Sequence, residues 1–191
     1  MNKQIICIAS LTQDSGKSLI ASSLVHLLRE QGLKTDLFDS RMGILHHGYQ
    51  SASPIMLVEM AEEDSLWYPV ASEILLIADR IRSNGSLLRD ASRFLDLMVA
   101  EQRPLSIRLV VNRVEDISQA RDIYHQIRKE TETRPSIHLK YFGYLPLDPV
   151  LETWKMEKKP FVVGHPETMA TACLRSMVSR LKDQHQIWRG T

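Results

Sequence analysis

Residues 9–18 read ASLTQDSGKS, and this stretch decides the fold. An apolar run at 4–8 precedes it, and a helix-like pattern at 19–28 follows it. A strand, a loop and a helix in this order form the setting of a phosphate-binding loop, whose motif ends in Gly-Lys-Ser or Gly-Lys-Thr. The tripeptide at 16–18 supplies that ending, whereas Leu11 stands where the motif has its first glycine. The sequence therefore predicts a nucleotide-binding plan with an altered loop.

The retained end of the loop has a direct chemical use. Backbone N–H groups at a helix start, together with the helix dipole, favour a bound anion. Gly16 would let the backbone approach a phosphate, Lys17 would neutralise it, and the Ser18 hydroxyl would hold a magnesium ion. The tripeptide also occurs by chance before solvated helix starts, and only its strand–loop–helix context favours the phosphate interpretation.

Composition excludes some classes of partner. The chain has 24 basic and 23 acidic side chains and a net charge of +1, so no global field favours nucleic acid or an anionic membrane. Cys7 and Cys173 are isolated in apolar runs, as is typical of reduced core residues. We find no signal-like segment at the start and no apolar run near the ~20 residues of a membrane span. We therefore expect a cytoplasmic protein without nucleic-acid partners or stable membrane insertion.

Strand and helix patterns alternate along the chain. The predicted strands are 4–8, 33–39, 73–78, 106–112, 137–142 and 161–163, and the predicted helices are 16–31, one capped by Asn84 or Ser86, 117–130, 149–156 and one from about Pro166. Segment 54–61 is ambiguous, with a helical turn as one interpretation. Apolar strands separated by helices indicate an α/β fold, a Rossmann-like three-layer sandwich with a mostly parallel sheet. Ligands bind such sheets at the carboxyl ends of the strands, where the loop, Asp39, Asn112 and 145–148 would meet.

Further motifs follow the loop in a fixed order. They read IRLVVNR at 107–113, YFGYLPLDP at 141–149 and KPFVV at 159–163. With Asp39 after the second strand, this order resembles the MinD/ParA class of P-loop ATPases. Within that class it resembles most the FlhG (YlxH) branch, which regulates flagellar number and placement. The resemblance covers most of the chain except about 44–70.

The resemblance implies ATP or ADP with Mg²⁺ as the cofactor. Asn112 would hydrogen-bond the adenine edge, the segment Pro146–Asp148 would line the base pocket, and Asp39 would join Ser18 at the magnesium ion. Simpler roles remain open, with Asn112 closing a turn and Pro146 marking a chain reversal. The candidate nucleotide-binding residues are Asp14, Ser15, Gly16, Lys17, Ser18, Leu19, Asn112, Arg113, Pro146 and Asp148, and the candidate metal ligands are Ser18 and Asp39.

Three departures from the family pattern bear on catalysis. The family's loop reads Lys-Gly-Gly-x-Gly-Lys-Thr, and its first lysine reaches the partner's nucleotide across a dimer, but Thr12, Gln13 and Asp14 stand in the leading positions here. Arg41 replaces the second Asp of an Asp-x-Asp pattern, where it would pair with a phosphate or with Asp14, or lie exposed. The family's middle strand, ending in an Asp-x-x-x-Gly switch, has no matching pattern in 44–70. Efficient ATP hydrolysis is therefore not expected, since phosphoryl transfer needs all of these parts.

The leading hypothesis is a degenerate FlhG-like regulatory protein. It would form a single domain over 1–191, shortened between about 44 and 70, and bind ATP or ADP weakly or not at all. By the resemblance, its partners would be the flagellar signal-recognition-type GTPase or components of the flagellar switch ring, and it would be able to form a homodimer. Two alternatives stay open. One is an active ATPase that dimerises with nucleotide, and the other is an ATP-dependent ligase similar to dethiobiotin synthetase, whose superfamily also tolerates divergent loops.

Two other features allow both a functional and a structural interpretation. His46 and His47 suggest a metal, but adjacent residues rarely ligate one ion, and a solvated loop is favoured. The last helix has an apolar stripe but few large apolar residues after Leu181. We therefore expect it to pack on the sheet rather than to bind a membrane surface.

Overall fold

A six-stranded sheet forms the centre of the protein. The computed structural model describes residues 3–42, 53–61, 66–81, 85–101, 104–154 and 159–187. Its strands are β1 (Gln4–Ser10), β2 (Thr35–Asp39), β3 (Ile55–Glu59), β4 (Glu73–Asp79), β5 (Leu105–Val114) and β6 (Ile137–Pro146). Its helices are α1 (Lys17–Glu30), α2 (Leu87–Ala100), α3 (Ile117–Thr131), α4 (Pro149–Thr153), α5 (Phe161–Gly164) and α6 (Met169–Ile187).

The strands lie in the order β2-β3-β1-β4-β5-β6, and every neighbouring pair among them is parallel. The predicted three-layer α/β sandwich is thus confirmed. Because successive side chains of a strand point to opposite faces, a strand in the middle of the sheet contributes side chains to two hydrophobic cores, one on each face. In β1, Ile6 and Ile8 pack with α1, α5 and α6, whereas Cys7 and Ala9 pack with α2 and α3. Burial on both faces explains why β1, β3 and β4, in the middle of the sheet, read as nearly continuous apolar runs.

The ambiguous segment 54–61 contains strand β3, so its interpretation as a helical turn is wrong. β3 pairs with β1 on one side and with β2 on the other, and all five of its residues are buried. A short apolar run that is buried on both faces has no alternation, so periodicity alone does not separate it from a helix. A middle strand is therefore present, although 43–52 and 62–65 lie outside the described residues.

The segment 161–163, predicted as a strand, belongs instead to the short helix α5. Pro160 precedes it with φ −57°, and the carbonyl of Pro160 accepts bonds from the N–H groups of Val163 and Gly164. Proline suits a helix start because it has no N–H to satisfy there. Phe161, fully buried, packs edge-on against Trp154 with ring centroids 6.3 Å apart. Apolar packing here comes from a helical turn, which the short run did not reveal.

The last helix packs on the sheet, as expected. Its buried side chains join the same core as α1, and Met177 lies against Gly143 of β6. Within the residues that the structure describes, none of the helices is long and apolar enough to cross a membrane. The pair His46-His47 and the capping candidate Asn84 lie outside the described residues.

Parallel pairing brings the carboxyl ends of the strands to one edge of the sheet. The loop after β1 lies there between the ends of β3 and β4, because β1 pairs with both strands. The ends of β2 and β3 are level, with Asp39 and Glu59 as register partners. Asp79, the last residue of β4, lies opposite Asn112, two residues before the end of β5. The loop, Asp39, Glu59, Asp79 and Asn112 therefore all lie on this edge.

Candidate functional site

The loop leads into α1 through a left-handed glycine. Gly16 has φ +88° and ψ +17°, a conformation that glycine adopts at little cost, and Asp14 also has a positive φ of +50°. No described side chain caps the helix, and its first turn carries no acidic residue. The first helical bond runs from the Ile20 N–H to the Gly16 carbonyl at 3.0 Å. The N–H groups of residues 17–19, which include Leu19, thus precede the helical ladder and are suited to an anion.

Two buried hydroxyl groups add to this arrangement. The Oγ1 of Thr12 and the Oγ of Ser15 are buried without a hydrogen-bond partner, and Ser15 as a whole is 1 % exposed. Buried polar atoms nearly always have partners, so two orphaned hydroxyls in one short loop call for an explanation. Together with the uncapped helix start and Lys17, they fit a bound phosphate group.

Asn112 fixes the loop from the neighbouring end of β5. Its Nδ2 donates to the Ser15 carbonyl at 2.8 Å, and its Oδ1 accepts from the Arg113 N–H at 2.9 Å. A side chain at position 16 would place its Cβ 2.9 Å from this Nδ2. Any residue other than glycine would therefore crowd Asn112, in addition to straining the backbone at this positive φ. Asn112 is 6 % exposed. Its predicted role at adenine stays a prediction, since one donor and one acceptor site of the amide are already engaged.

Arg113 joins the loop to β4 and α4. Its guanidinium is ion-paired with Asp79 and with Glu152, and its Nη1 also donates to the Asp14 carbonyl at 3.2 Å. The side chain is only 13 % exposed and that of Asp79 is fully buried. Arg113 itself has a positive φ of +59°. The guanidinium predicted to contact the nucleotide thus holds the loop in place.

Asp39 and Arg41 form a close pair at the end of β2. Asp39 accepts bonds from the Arg41 backbone N–H at 3.0 Å, from its Nε at 2.9 Å and from its Nη2 at 2.7 Å. These bonds from Arg41, with a smaller contribution from the charge of Lys17, hold the pKa of Asp39 below its usual value. Arg41 is exposed, as one of the interpretations held, but its ion pair is with Asp39 and not with Asp14.

Glu59, at the end of β3, is a site residue that sequence reasoning missed. It is 5 % exposed, and its Oε1 accepts from the Ser18 hydroxyl at 2.5 Å and from Arg41 Nη2 at 3.4 Å. Glu59 therefore connects the phosphate loop to the Asp39–Arg41 pair. The only signal in the sequence was a carboxylate directly after an apolar run, and that run was not recognised as a strand.

The predicted magnesium ligands do not fit a metal ion as they are arranged. Asp39 is held by Arg41, while Ser18 donates to an oxygen of Glu59 that Arg41 also contacts. Magnesium is bound through carboxylate oxygens and waters in octahedral geometry, and a guanidinium on those oxygens opposes it. Across the described ranges, no group of three or more His, Cys, Asp or Glu residues is arranged to hold a metal ion.

Pro146 and Asp148 lie on the same edge of the sheet, where they have structural roles at the end of β6 and at the start of α4. Pro146 ends β6 as the register partner of Val114. Asp148 is the N-cap of α4, where its Oδ1 accepts from the Val150 N–H at 2.8 Å. Helix α4 then presents Glu152 to Arg113. Their contact with a base stays a prediction.

Comparison with known proteins identifies the family of this chain. Residues 6–161 match the family CbiA, described as the CobQ/CobB/MinD/ParA nucleotide binding domain. The chain belongs to this family, and the resemblance to MinD/ParA-type P-loop proteins is thereby confirmed. A search among curated proteins found no match to the sequence.

Solved structures agree with this assignment at the level of fold. The MinC:MinD cell division protein complex of Aquifex aeolicus matches with a TM-score of 0.71 at 15 % identity, covering 94 % of this chain and 96 % of that chain. MinD of Pyrococcus horikoshii, complexed with Mg-ADP, matches with a TM-score of 0.69 at 14 % identity, covering 97 % of this chain and 98 % of that chain. The pNOB8 ParA protein, bound to nonspecific DNA, matches with a TM-score of 0.64 at 14 % identity, covering 95 % of this chain and 99 % of that chain.

Proposed function

We propose that this chain is a nucleotide-binding regulatory protein that holds the phosphates of ATP or ADP at the start of α1 and acts through protein partners rather than through turnover. The observation that carries the proposal is the uncapped N-terminus of α1 behind a left-handed Gly16. The proposal includes a single domain over 1–191, shortened between about 44 and 70, in which β3 supplies the middle strand.

Phosphate binding is supported by groups that the rest of the structure holds in position. The backbone N–H groups of 17–19 point out of the helix start, and the helix dipole adds positive potential there. Asn112 and Arg113 hold the loop carbonyls of Ser15 and Asp14, so the loop is preorganised. A site that needs no reordering loses less free energy on binding.

The absence of efficient hydrolysis is supported by the carboxylate side of the site. Position 41 holds an arginine, which is always protonated and cannot act as a base. That arginine also neutralises Asp39 and contacts Glu59. Thr12 occupies the place of the family's first lysine, so no cation is supplied across a dimer by that position. Phosphoryl transfer depends on charge compensation around the third phosphate, which these substitutions reduce.

Calorimetric titration with ADP and ATP tests the binding proposal. We expect Lys17→Ala to weaken binding by about 10- to 100-fold, the range for a lost charge-assisted hydrogen bond. Lys34→Ala is the matched control, because Lys34 is an exposed lysine just beyond the opposite end of α1. The proposal fails if the wild type binds neither nucleotide at millimolar concentration, or if Lys34→Ala weakens binding as much as Lys17→Ala.

One contact favours the alternative of an active ATPase. Glu59 is a carboxylate at the end of the middle strand, and it accepts a bond from the Ser18 hydroxyl. The family's middle strand also ends in a carboxylate, an Asp, although no Asp-x-x-x-Gly pattern follows here because position 63 is Glu. Phosphate release that is lost in Lys17→Ala would establish this alternative.

For the biological role we propose flagellar number or placement, as the FlhG-like motifs suggest, with the flagellar signal-recognition-type GTPase or switch-ring components as partners. Deleting the gene in its native host and counting flagella per cell by electron microscopy tests this role. An unchanged number and position of flagella would reject it. The chain's net charge of +1 supports a protein partner over nucleic acid, and gel-shift titration with nonspecific DNA checks that choice.

A further inference from the structure

Two carboxylates stand side by side where neighbouring strands end. Asp39 of β2 and Glu59 of β3 are register partners in a parallel pair, which brings their side chains onto one edge of the sheet. Glu59 is 7 % exposed in its side chain and Asp39 is 29 % exposed. Two acidic groups so close, one of them buried, need a cation to compensate their charge.

Arg41 is the cation that the structure places there. Its Nη2 lies 2.7 Å from Asp39 Oδ2 and 3.4 Å from Glu59 Oε1, so one guanidinium nitrogen serves both carboxylates. The Glu59 oxygen that it contacts is also the acceptor for Ser18, the hydroxyl of the phosphate loop. The guanidinium is therefore linked to the phosphate loop through a single side chain, that of Glu59.

The position of Arg41 is fixed by the backbone as well as by its charge. It lies in a 3-10 turn, Ser40–Met42, directly after β2. The Arg41 N–H donates to Asp39, and the Ser40 hydroxyl accepts a bond of 2.7 Å from the Ala61 N–H, which ties the turn to the segment after β3. A guanidinium held in this way is preorganised.

We propose that Arg41 is a built-in counter-cation that takes the place of the divalent metal, so that this chain binds the phosphate groups of a nucleotide without metal. The inference rests on the proposed nucleotide binding at α1. The side chain of Arg41 is 57 % exposed, and the pairs with Asp39 and Glu59 use Nε and Nη2, so Nη1 takes no part in them. An arginine fork suits phosphate oxygens and stays charged at any working pH.

A metal ion and Arg41 would compete for the same oxygens. Magnesium would have to displace a permanently charged guanidinium from Asp39 and then remain beside it, and like charges at that distance repel. Removing the guanidinium would leave Asp39, Glu59 and Ser18 as an oxygen-rich group of the kind that magnesium accepts. Arg41 thus determines whether this edge of the sheet takes a metal.

A first experiment needs no nucleotide. Mn²⁺, as a stand-in for Mg²⁺, is titrated into the full chain and the free ion is followed by electron paramagnetic resonance. We expect no binding by the wild type and measurable binding by Arg41→Ser. Arg175→Ser is the matched control, since Arg175 is an exposed arginine paired with Glu30 away from the loop. Binding by the wild type as strong as by Arg41→Ser would overturn the proposal.

The second experiment compares ADP binding in EDTA with binding in excess Mg²⁺ by calorimetry. For the wild type we expect dissociation constants that agree within about threefold. Arg41→Ser should bind about tenfold more weakly in EDTA and regain affinity with Mg²⁺, while Arg175→Ser should match the wild type. If Arg41→Ser does not fold, Arg41→Lys should keep metal-free binding, since the charge remains.

The outcomes of the second experiment separate the two proposals. Wild-type binding that requires Mg²⁺ would overturn the inference about Arg41 and leave nucleotide binding intact. No binding in either buffer would overturn the nucleotide-binding function itself. Equal binding in both buffers, together with Mg²⁺ dependence in Arg41→Ser, is the result that the inference predicts.

Discussion

The two sides of the loop differ in what they are made of. The phosphate side consists of backbone N–H groups at the start of α1, behind Gly16. The carboxylate side consists of side chains from β2 and β3, Asp39, Arg41 and Glu59. An anion site built from backbone survives most substitutions because every residue except proline carries a backbone N–H group. A single substitution is enough to change a metal site built from side chains, and we propose that the arginine at position 41 is such a change.

Arg113 offers the strongest test of the phosphate side. We expect Arg113→Ala to destabilise the protein by about 3–5 kcal/mol, because it removes the guanidinium that neutralises the fully buried Asp79. It should also weaken ADP binding, since the Asp14 carbonyl loses its donor. Urea unfolding and calorimetry measure the two effects.

Arg134→Ala is the control for that variant. Arg134 has the same 13 % side-chain exposure, but its partner Asp96 is 66 % exposed. Losing an ion pair whose acidic partner is solvent-exposed should lower the free energy of unfolding by about 1 kcal/mol or less. Equal destabilisation by the two variants would mean that burial of Asp79 does not set the cost.

Gly16→Ala tests whether the loop needs glycine for contact or only for its backbone. Gly16 and Gly32 both have positive φ, +88° and +78°, so either substitution should cost about 1–2 kcal/mol from conformation alone. Of these two positions, only 16 has another group close to an added Cβ, which is Asn112 Nδ2 at 2.9 Å. Gly16→Ala should therefore lower the melting temperature more than Gly32→Ala, and it alone should weaken ADP binding. Equal shifts would show that the Asn112 contact adjusts freely.

Asp39→Asn gives the smallest effect, on the carboxylate side. The folded pKa of Asp39 lies below its ordinary value of 3.8, so its ion pair stabilises the fold above that pH. The contribution is lost as the pH falls through the lower folded pKa. At neutral pH we expect a cost of at most about 1 kcal/mol, as for other partly exposed pairs. In urea unfolding, the difference from the wild type should vanish in acid.

Asp36→Asn is the control on the same strand. Asp36 has a similar side-chain exposure of 31 %, but its pair with Arg29 is longer, at 3.6 Å. We expect a smaller loss than for Asp39→Asn. A pH-independent cost for Asp39→Asn would contradict the assigned role of its ion pair.

Much of the fold follows from the sequence alone. The loop at 9–18 lies between a strand and a helix as predicted. Strand β4 is a continuous apolar run with an acidic residue at each end, and β5 is mostly apolar and buried along most of its length although it contains Arg108. Such runs, separated by helices, indicate a parallel sheet. The prediction for 161–163 is wrong and that for 54–61 was ambiguous, because apolar runs this short do not reveal whether a strand neighbour is present.

Less of the candidate site could be predicted from the sequence, because its side-chain pairs depend on the order of the strands in the sheet. Glu59 meets Ser18 only because β3 lies beside β1, and Asp79 meets Arg113 only because β4 lies beside β5. Neither adjacency is visible in local pattern. Arg41 was recognised as a departure from the family, but its partner was not, since the choice between Asp14 and Asp39 depends on the geometry of the turn that holds it.

The central claim is that the phosphate side binds nucleotide while the carboxylate side no longer supports its hydrolysis. A single-turnover assay tests this most directly, with excess protein over labelled ATP, phosphate release followed over hours, and Lys17→Ala in parallel. We predict that ATP is bound yet stays intact, with release no faster than in Lys17→Ala. Release by the wild type that disappears in Lys17→Ala would contradict the account.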